Sequence, residues 1–285
     1  MELQWSRNGP FMRCSVTGHP PMHRTGLLII GHGTQEAEGV EAFAWVVGAV
    51  REQVGVPVEG CFLELASPSI GEGVGRMVQH GVRRIVAMPL LLFAAGHVRR
   101  DIPAALRAAV SRHSGIEIIQ APHLGCCQAI LELSRRRFHE ALAGLAPLPR
   151  QATAVLLVGR GSRDVSALDE MQRFAELRGV VAWPNGAWCF LAMARPTLSE
   201  GLERMAAGPA QRIVVQPHLL FPGRLCEEVA AAVARQRAAD GSKQWVVARP
   251  LGPDPLVVSA IIGRVGPWLA GADTPPESRE ESQTI

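Results

Sequence analysis

Shifted by 128 residues, the sequence falls on itself. Leu28-Ile29-Ile30-Gly31-His32-Gly33-Thr34 lands on Leu156-Leu157-Val158-Gly159-Arg160-Gly161-Ser162. The stretch CFLELASPS from Cys61 lands on CFLAMARPT from Cys189, and IVAMPLLLF from Ile85 lands on IVVQPHLLF from Ile213. Separate blocks share one offset without a gap, which excludes coincidence. The period is far longer than a solenoid repeat, so each copy is a whole domain.

Within a copy, short apolar runs alternate with helical patterns. In the first copy strands are expected at Gly26–Gly31, Val58–Leu65, Arg84–Met88 and Glu117–Ala121, and helices at Val40–Gln53, Ser69–His80 and Asp101–His113. Ser69 with Glu72, and Thr197 with Glu200, have capping-box spacing. Asp101, with Pro103 after it, reads as a helix start. Such alternation predicts an α/β fold: two tandem duplicated domains, each a small parallel sheet flanked by helices, with the active cleft between them. The expected boundaries are an N-terminal extension over residues 1–25, a first domain over 26–144, a linker over 145–152, a degenerate duplicate over 153–270 and a tail over 271–285, both ends disordered.

The bulk properties narrow the function. An apolar fraction of 47% supports a substantial core, and a net charge of +3 is too small to make nucleic acid the main partner. No apolar run is long enough to span a bilayer. The head, MELQWSRNGPFMRCSVTGHPPMHRT, has no apolar stretch of the secretory kind, and Met22 is a second candidate start; the expected compartment is the cytoplasm. None of the six cysteines forms a CxxC pair, and Cys61 and Cys189 lie in apolar runs where a reduced, buried thiol is expected.

In parallel sheets chemistry gathers at the carboxyl ends of the strands. His32 follows the first strand between two glycines that permit a sharp turn. The same segment lacks the third glycine of a dinucleotide fingerprint, so a nucleotide-binding protein has only the fold class in its favour. Glu64 ends the second apolar run between leucines, where a carboxylate needs a partner or a cleft. His97 follows the third strand, beyond Pro89, which limits ladder pairing and sends Leu90–Phe93 off the sheet. Each taken alone has an ordinary reading as a turn, strand-end or loop residue. Together they fall on one sheet edge. Two imidazoles and a carboxylate suit a divalent first-row metal with positions left open, and they suit proton transfer near neutral pH. In the second copy His32 becomes Arg160, Glu64 becomes Ala192 and His97 becomes Leu225, while every scaffold block survives. That pattern marks a functional site kept in one copy and abandoned in the other.

The stretches LLIIGHGTQ, FLELASPSI and, most specifically, MPLLLFAAGHVRRDIP resemble the sirohydrochlorin chelatases of the class II chelatase superfamily, in the long two-domain form. The resemblance runs from Gly26 to Leu269. It implies ATP-independent insertion of a divalent metal into sirohydrochlorin, with His32, His97 and Glu64 at the metal and Co2+ as the expected ion, in cobalamin biosynthesis. Fe2+ for sirohaem and Ni2+ are the alternatives, and a non-catalytic metal or tetrapyrrole carrier would use the same ligands. No cofactor beyond the substrate metal is implied. The tail after Gly271 has no histidine or cysteine, so no iron–sulfur cluster is expected there.

Sirohydrochlorin bears many carboxylates, and guanidinium forks match them. Arg99 and Arg100 beside His97, with Arg160 and Arg224 on the matching edge of the second copy, are the candidate substrate-binding residues. His218 stands where the first copy has Leu90 and reads as packed or hydrogen-bonded; His123 is a candidate support for the site. Duplication within one chain can replace a homodimer, so a pseudo-symmetric monomer is expected, with no membrane partner.

Overall fold

The computed structural model describes residues 24–94 and 96–270, so the expected disordered head, apart from its last two residues, and the expected tail lie outside the described residues. The first copy runs β1 (Arg24–Gly31), α1 (Ala37–Arg51), β2 (Val58–Phe62), α2 (Ile70–Gln79), β3 (Val82–Pro89), α3 (Ile102–Val110), β4 (Glu117–Gln120) and α4 (Gln128–Leu142). The second runs β5 (Thr153–Gly159), α5 (Val165–Arg178), β6 (Gly186–Phe190), α6 (Leu198–Ala207), β7 (Arg212–Pro217), α7 (Arg224–Ala239), β8 (Gln244–Val247) and α8 (Pro255–Leu269).

Each copy forms a parallel four-stranded sheet, ordered β2-β1-β3-β4 and β6-β5-β7-β8. The register repeats as well: Leu27 pairs with Val58, and Val155 pairs with Gly186. Leu27 to Ile30 are all buried because helices cover both sheet faces. Successive side chains alternate between faces, so Leu28 and Ile30 join one core with Val74, Met77 and Ile102. Leu27 and Ile29 join another with Phe43 and Val46, and that core runs on without a break to Leu157 and Phe174 of the second copy. Both capping boxes form, with Glu72 and Glu200 accepting from the N–H groups of Ser69 and Thr197. Cys61 and Cys189 are fully buried, and burial pushes the Cys189 thiol up to about 12.

Three local differences from the sequence reading stand out. β1 begins at Arg24, and β2 stops at Phe62, leaving Glu64 in the turn beyond it. The third helix is preceded by a π-helical turn, His97–Asp101, and Asp101 does not cap it. Asp101 is already helical, and its carboxylate is taken by His97 instead.

The last helix of each copy covers the other copy's sheet. On the first sheet, Arg84 Nη1 donates to the α8 carbonyl of Trp268 at 2.9 Å. On the second, Gln216 Nε2 of β7 donates to the α4 carbonyl of Ser134 at 2.7 Å. Arg137 of α4 reaches the carbonyls of Pro250 and Leu251 and the carboxylate of Asp254, the N-cap of α8. Neither half of the chain therefore completes its core alone. The repeat is blind to this, because a helix shows the same apolar stripe whichever sheet it covers.

Candidate metal centre

The carboxyl ends of β1, β2 and β3 lie side by side, as their ladder requires. His32 leaves β1, and Gly33 after it adopts φ +103°. A Cβ on Gly33 would stand 1.7 Å from the Glu64 carbonyl oxygen, so only glycine lets the two turns touch. Gly161 repeats the arrangement against Ala192, at φ +89° and 1.8 Å, which shows the turn to be scaffold shared by both copies. On the other side the Glu64 N–H donates to the His32 carbonyl at 3.0 Å. Leu65 then turns left-handed at φ +63°, a position that costs a non-glycine residue about 1 kcal/mol, and Met193 repeats it at +60°.

This backbone brings the three candidates together. His32 Nε2 is 3.4 Å from Glu64 Oε1, and the rings of His32 and His97 meet edge to face with centroids 4.8 Å apart. One ligand atom from each of the three residues lies within 4.8 Å of the others, and among the described residues no other histidine, cysteine and carboxylate group has that geometry. The neighbours choose the free nitrogens. His32 Nδ1 faces the Gly33 carbonyl at 3.3 Å and His97 Nδ1 faces Asp101 Oδ2 at 2.8 Å; acceptors there leave Nε2 of each ring for the site. Burial, then the Arg160 guanidinium, holds His32 below the ordinary imidazole range, against the opposing pull of the Gly33 carbonyl and Glu64. A neutral His32 keeps a lone pair to offer.

Arg160 crosses from the second copy to the centre, with Nη1 3.3 Å from His32 Nε2. Arg99 and Arg100 are exposed beside His97, and their charges help hold Asp164, at the start of α5, below the usual carboxylate range after its bonds from Ser166. Arg224 is exposed at the first turn of α7. So Arg160 joins the trio directly, Arg99 and Arg100 follow His97 in the same turn, and among the described residues no contact ties Arg224 to the trio. Asp101 was missed as a site residue; its signal was its position one helical turn after His97. His123 pairs with Glu170 of α5 at 3.1 Å. His218 is packed, with neither ring nitrogen hydrogen-bonded.

The CbiX family model matches residues 26–141 and again 154–267. The chain belongs to the CbiX family. Its two CbiX segments are the two copies of the repeat, and only the first carries His32, Glu64 and His97. A sirohydrochlorin ferrochelatase from Priestia megaterium is 31% identical over 228 residues, covering 79% of this chain and 84% of that one. A sirohydrochlorin cobaltochelatase from the same organism is 26% identical over 250 residues, covering 86% and 80%. The solved structure of SirB from Bacillus subtilis with Fe3+ superposes with a TM-score of 0.76 at 26% identity, over 87% of this chain and 96% of that one. Relatives named for either metal span both CbiX copies, so the two-copy length does not select cobalt.

Proposed function

We propose that this CbiX protein inserts a divalent first-row metal, cobalt or iron, into sirohydrochlorin. The carrying observation is the convergence of two imidazoles and one carboxylate, within 4.8 Å, at the edge where the two copies face each other. That donor set accepts Co2+ and Fe2+ alike, and supply decides between them. His32, His97 and Glu64 hold the ion with coordination positions left open for the ring nitrogens. Asp101 fixes the His97 ring so that Nε2 points at the site, as carboxylate partners of metal-bound imidazoles do.

The exchange itself is balanced. The macrocycle loses two pyrrole protons and gains one dication, so charge is conserved. Each transfer needs a base near the ring: Glu64, which is half exposed, offers a carboxylate oxygen, and each imidazole regains its Nε2 lone pair as the ion leaves it for the macrocycle. Arg160, Arg99, Arg100 and Arg224 supply positive charge for the carboxylates of the substrate.

The test is multiple-turnover absorbance of sirohydrochlorin with Co2+, Fe2+ and Ni2+, each with wild type, His32→Ala, His97→Ala and Glu64→Gln. Turnover by wild type with loss in the histidine variants is expected. Near-wild-type rates in both histidine variants would remove the proposed centre, and a single stoichiometric round would mark a carrier.

A further inference from the structure

The loop that carries His97 is gripped by the copy that has no ligands. Phe93 stacks on His218 with centroids 5.0 Å apart and meets Phe174 of α5 edge-on at 6.4 Å. His218 and Phe174 are both buried, at 2% and 0% exposure. The next residue, Ala94, donates its N–H to Glu170 Oε2 at 2.8 Å. Glu170 lies one turn before Phe174, on the same face of α5. His123 fixes the Glu170 carboxylate from the other side, with Nε2 3.1 Å from both oxygens. Ser166, a turn earlier, reaches the Ala94 carbonyl at 3.2 Å, but its single proton is contested by Asp164 Oδ1 at 2.7 Å. The carboxylate is thus the firmer hold.

The repeat supplies an internal comparison. The positions equivalent to Ala94 and Glu170 are Pro222 and Ala42. The two copies still meet there, since a Cβ on Gly39 would come within 3.5 Å of the Pro222 carbonyl oxygen. Yet proline has no N–H to give and alanine no oxygen to receive it. The polar grip exists only on the loop that leads to His97.

We infer that Glu170 is a positioning residue for metal insertion, its carboxylate fixing the Ala94 amide and through it the placement of His97. This rests on the reading of His97 as a ligand. The grip acts three residues from that ligand and across the boundary between copies.

The experiment titrates Co2+ alone into wild type, His97→Ala, Glu170→Ala, Glu170→Gln and Ala94→Pro, following the visible cobalt spectrum and the thermal midpoint, then measures kcat and KM for sirohydrochlorin. Glu170→Ala is expected to weaken Co2+ binding about 10-fold, at the low end for a residue supporting a ligand. It should lower kcat with KM unchanged. Ala94→Pro, which copies the second loop, should match it. Glu170→Gln keeps an oxygen for the amide and should recover most of the loss. Wild-type binding and kcat in Glu170→Ala, or a Gln variant as impaired as the Ala variant, would overturn the inference. Unchanged Co2+ binding in His97→Ala would instead overturn the ligand assignment beneath it.

Discussion

Arg160 Nη1 stands 3.3 Å from His32 Nε2, and the two residues are one position of the repeat, met across the interface of its copies. A neutral imidazole has one lone pair at Nε2. Either the guanidinium N–H or a metal ion takes it, and their charges repel.

Arg160→Ala is therefore expected to bind Co2+ more tightly in the absence of tetrapyrrole. The lost hydrogen bond, at a site partly open to water, is worth about 1 kcal/mol, or about fivefold. The same variant should raise KM for the polycarboxylate substrate. An unchanged Co2+ dissociation constant by calorimetry would show that the two cations do not compete.

Asp101 accepts from His97 Nδ1 at 2.8 Å and caps nothing. Asp101→Ala should weaken Co2+ binding about 10-fold with little change in thermal midpoint, because the carboxylate is half exposed. Asp101→Asn keeps an acceptor and should fall between. Equal binding in all three proteins would count against an orienting role.

His218 makes a pH prediction. Burial pushes its pKa down to about 3, against 6.5 for an ordinary imidazole. Below pH 6.5 the unfolded chain takes a proton that the folded ring refuses. Its stabilising balance is thus present above 6.5 and lost as pH falls toward 3, by about 1.4 kcal/mol per pH unit. His218→Leu, the residue of the first copy at Leu90, should remove that slope. Urea unfolding should find the variant gaining about 2 kcal/mol on wild type between pH 6.5 and 5. Parallel pH profiles would refute it.

Asp254 ties the exchanged helices together. It accepts from Arg137 Nη2 at 2.8 Å and from the Leu256 N–H at 2.9 Å, and it also pairs with Arg136. Burial opposes its charge, but the Leu256 amide and Arg136 overcome that and hold its carboxyl below the usual range. Its contribution is therefore full at neutral pH and disappears only as pH falls through that lowered value. Asp254→Ala leaves the buried Arg137 with Glu140 as its one carboxylate partner, beside the Pro250 and Leu251 carbonyls, and should cost about 3 kcal/mol. Both halves should still unfold in one transition, since each sheet needs the other half's helix. Two separate transitions would show the copies to be independent.

Much of the centre was legible because three polar residues change inside blocks that are otherwise kept. His32, Glu64 and His97 stood out against Arg160, Ala192 and Leu225 where the neighbouring strand and turn residues repeat. Asp101 was misread because a helix start and a histidine partner look alike in sequence. The turn His97–Asp101 is π-helical, and only its winding shows which use the carboxylate has. Glu170 was invisible for another reason: it reads as one more polar residue on the face of a helix.

The sequence by itself determined much of the local order of the chain: the four strands and first three helices of the first copy, the two capping boxes, and that the pattern is written twice. Those features arise from side-chain periodicity and from contacts a few residues apart, which repeat wherever the residues repeat. Tertiary structure alone decided that α4 and α8 change places and that Arg160 meets its own counterpart. It also decided that the Ala94 amide is held from the second copy. Each of these joins groups far apart along the chain, and buried apolar faces, being non-directional, do not specify which sheet they will cover.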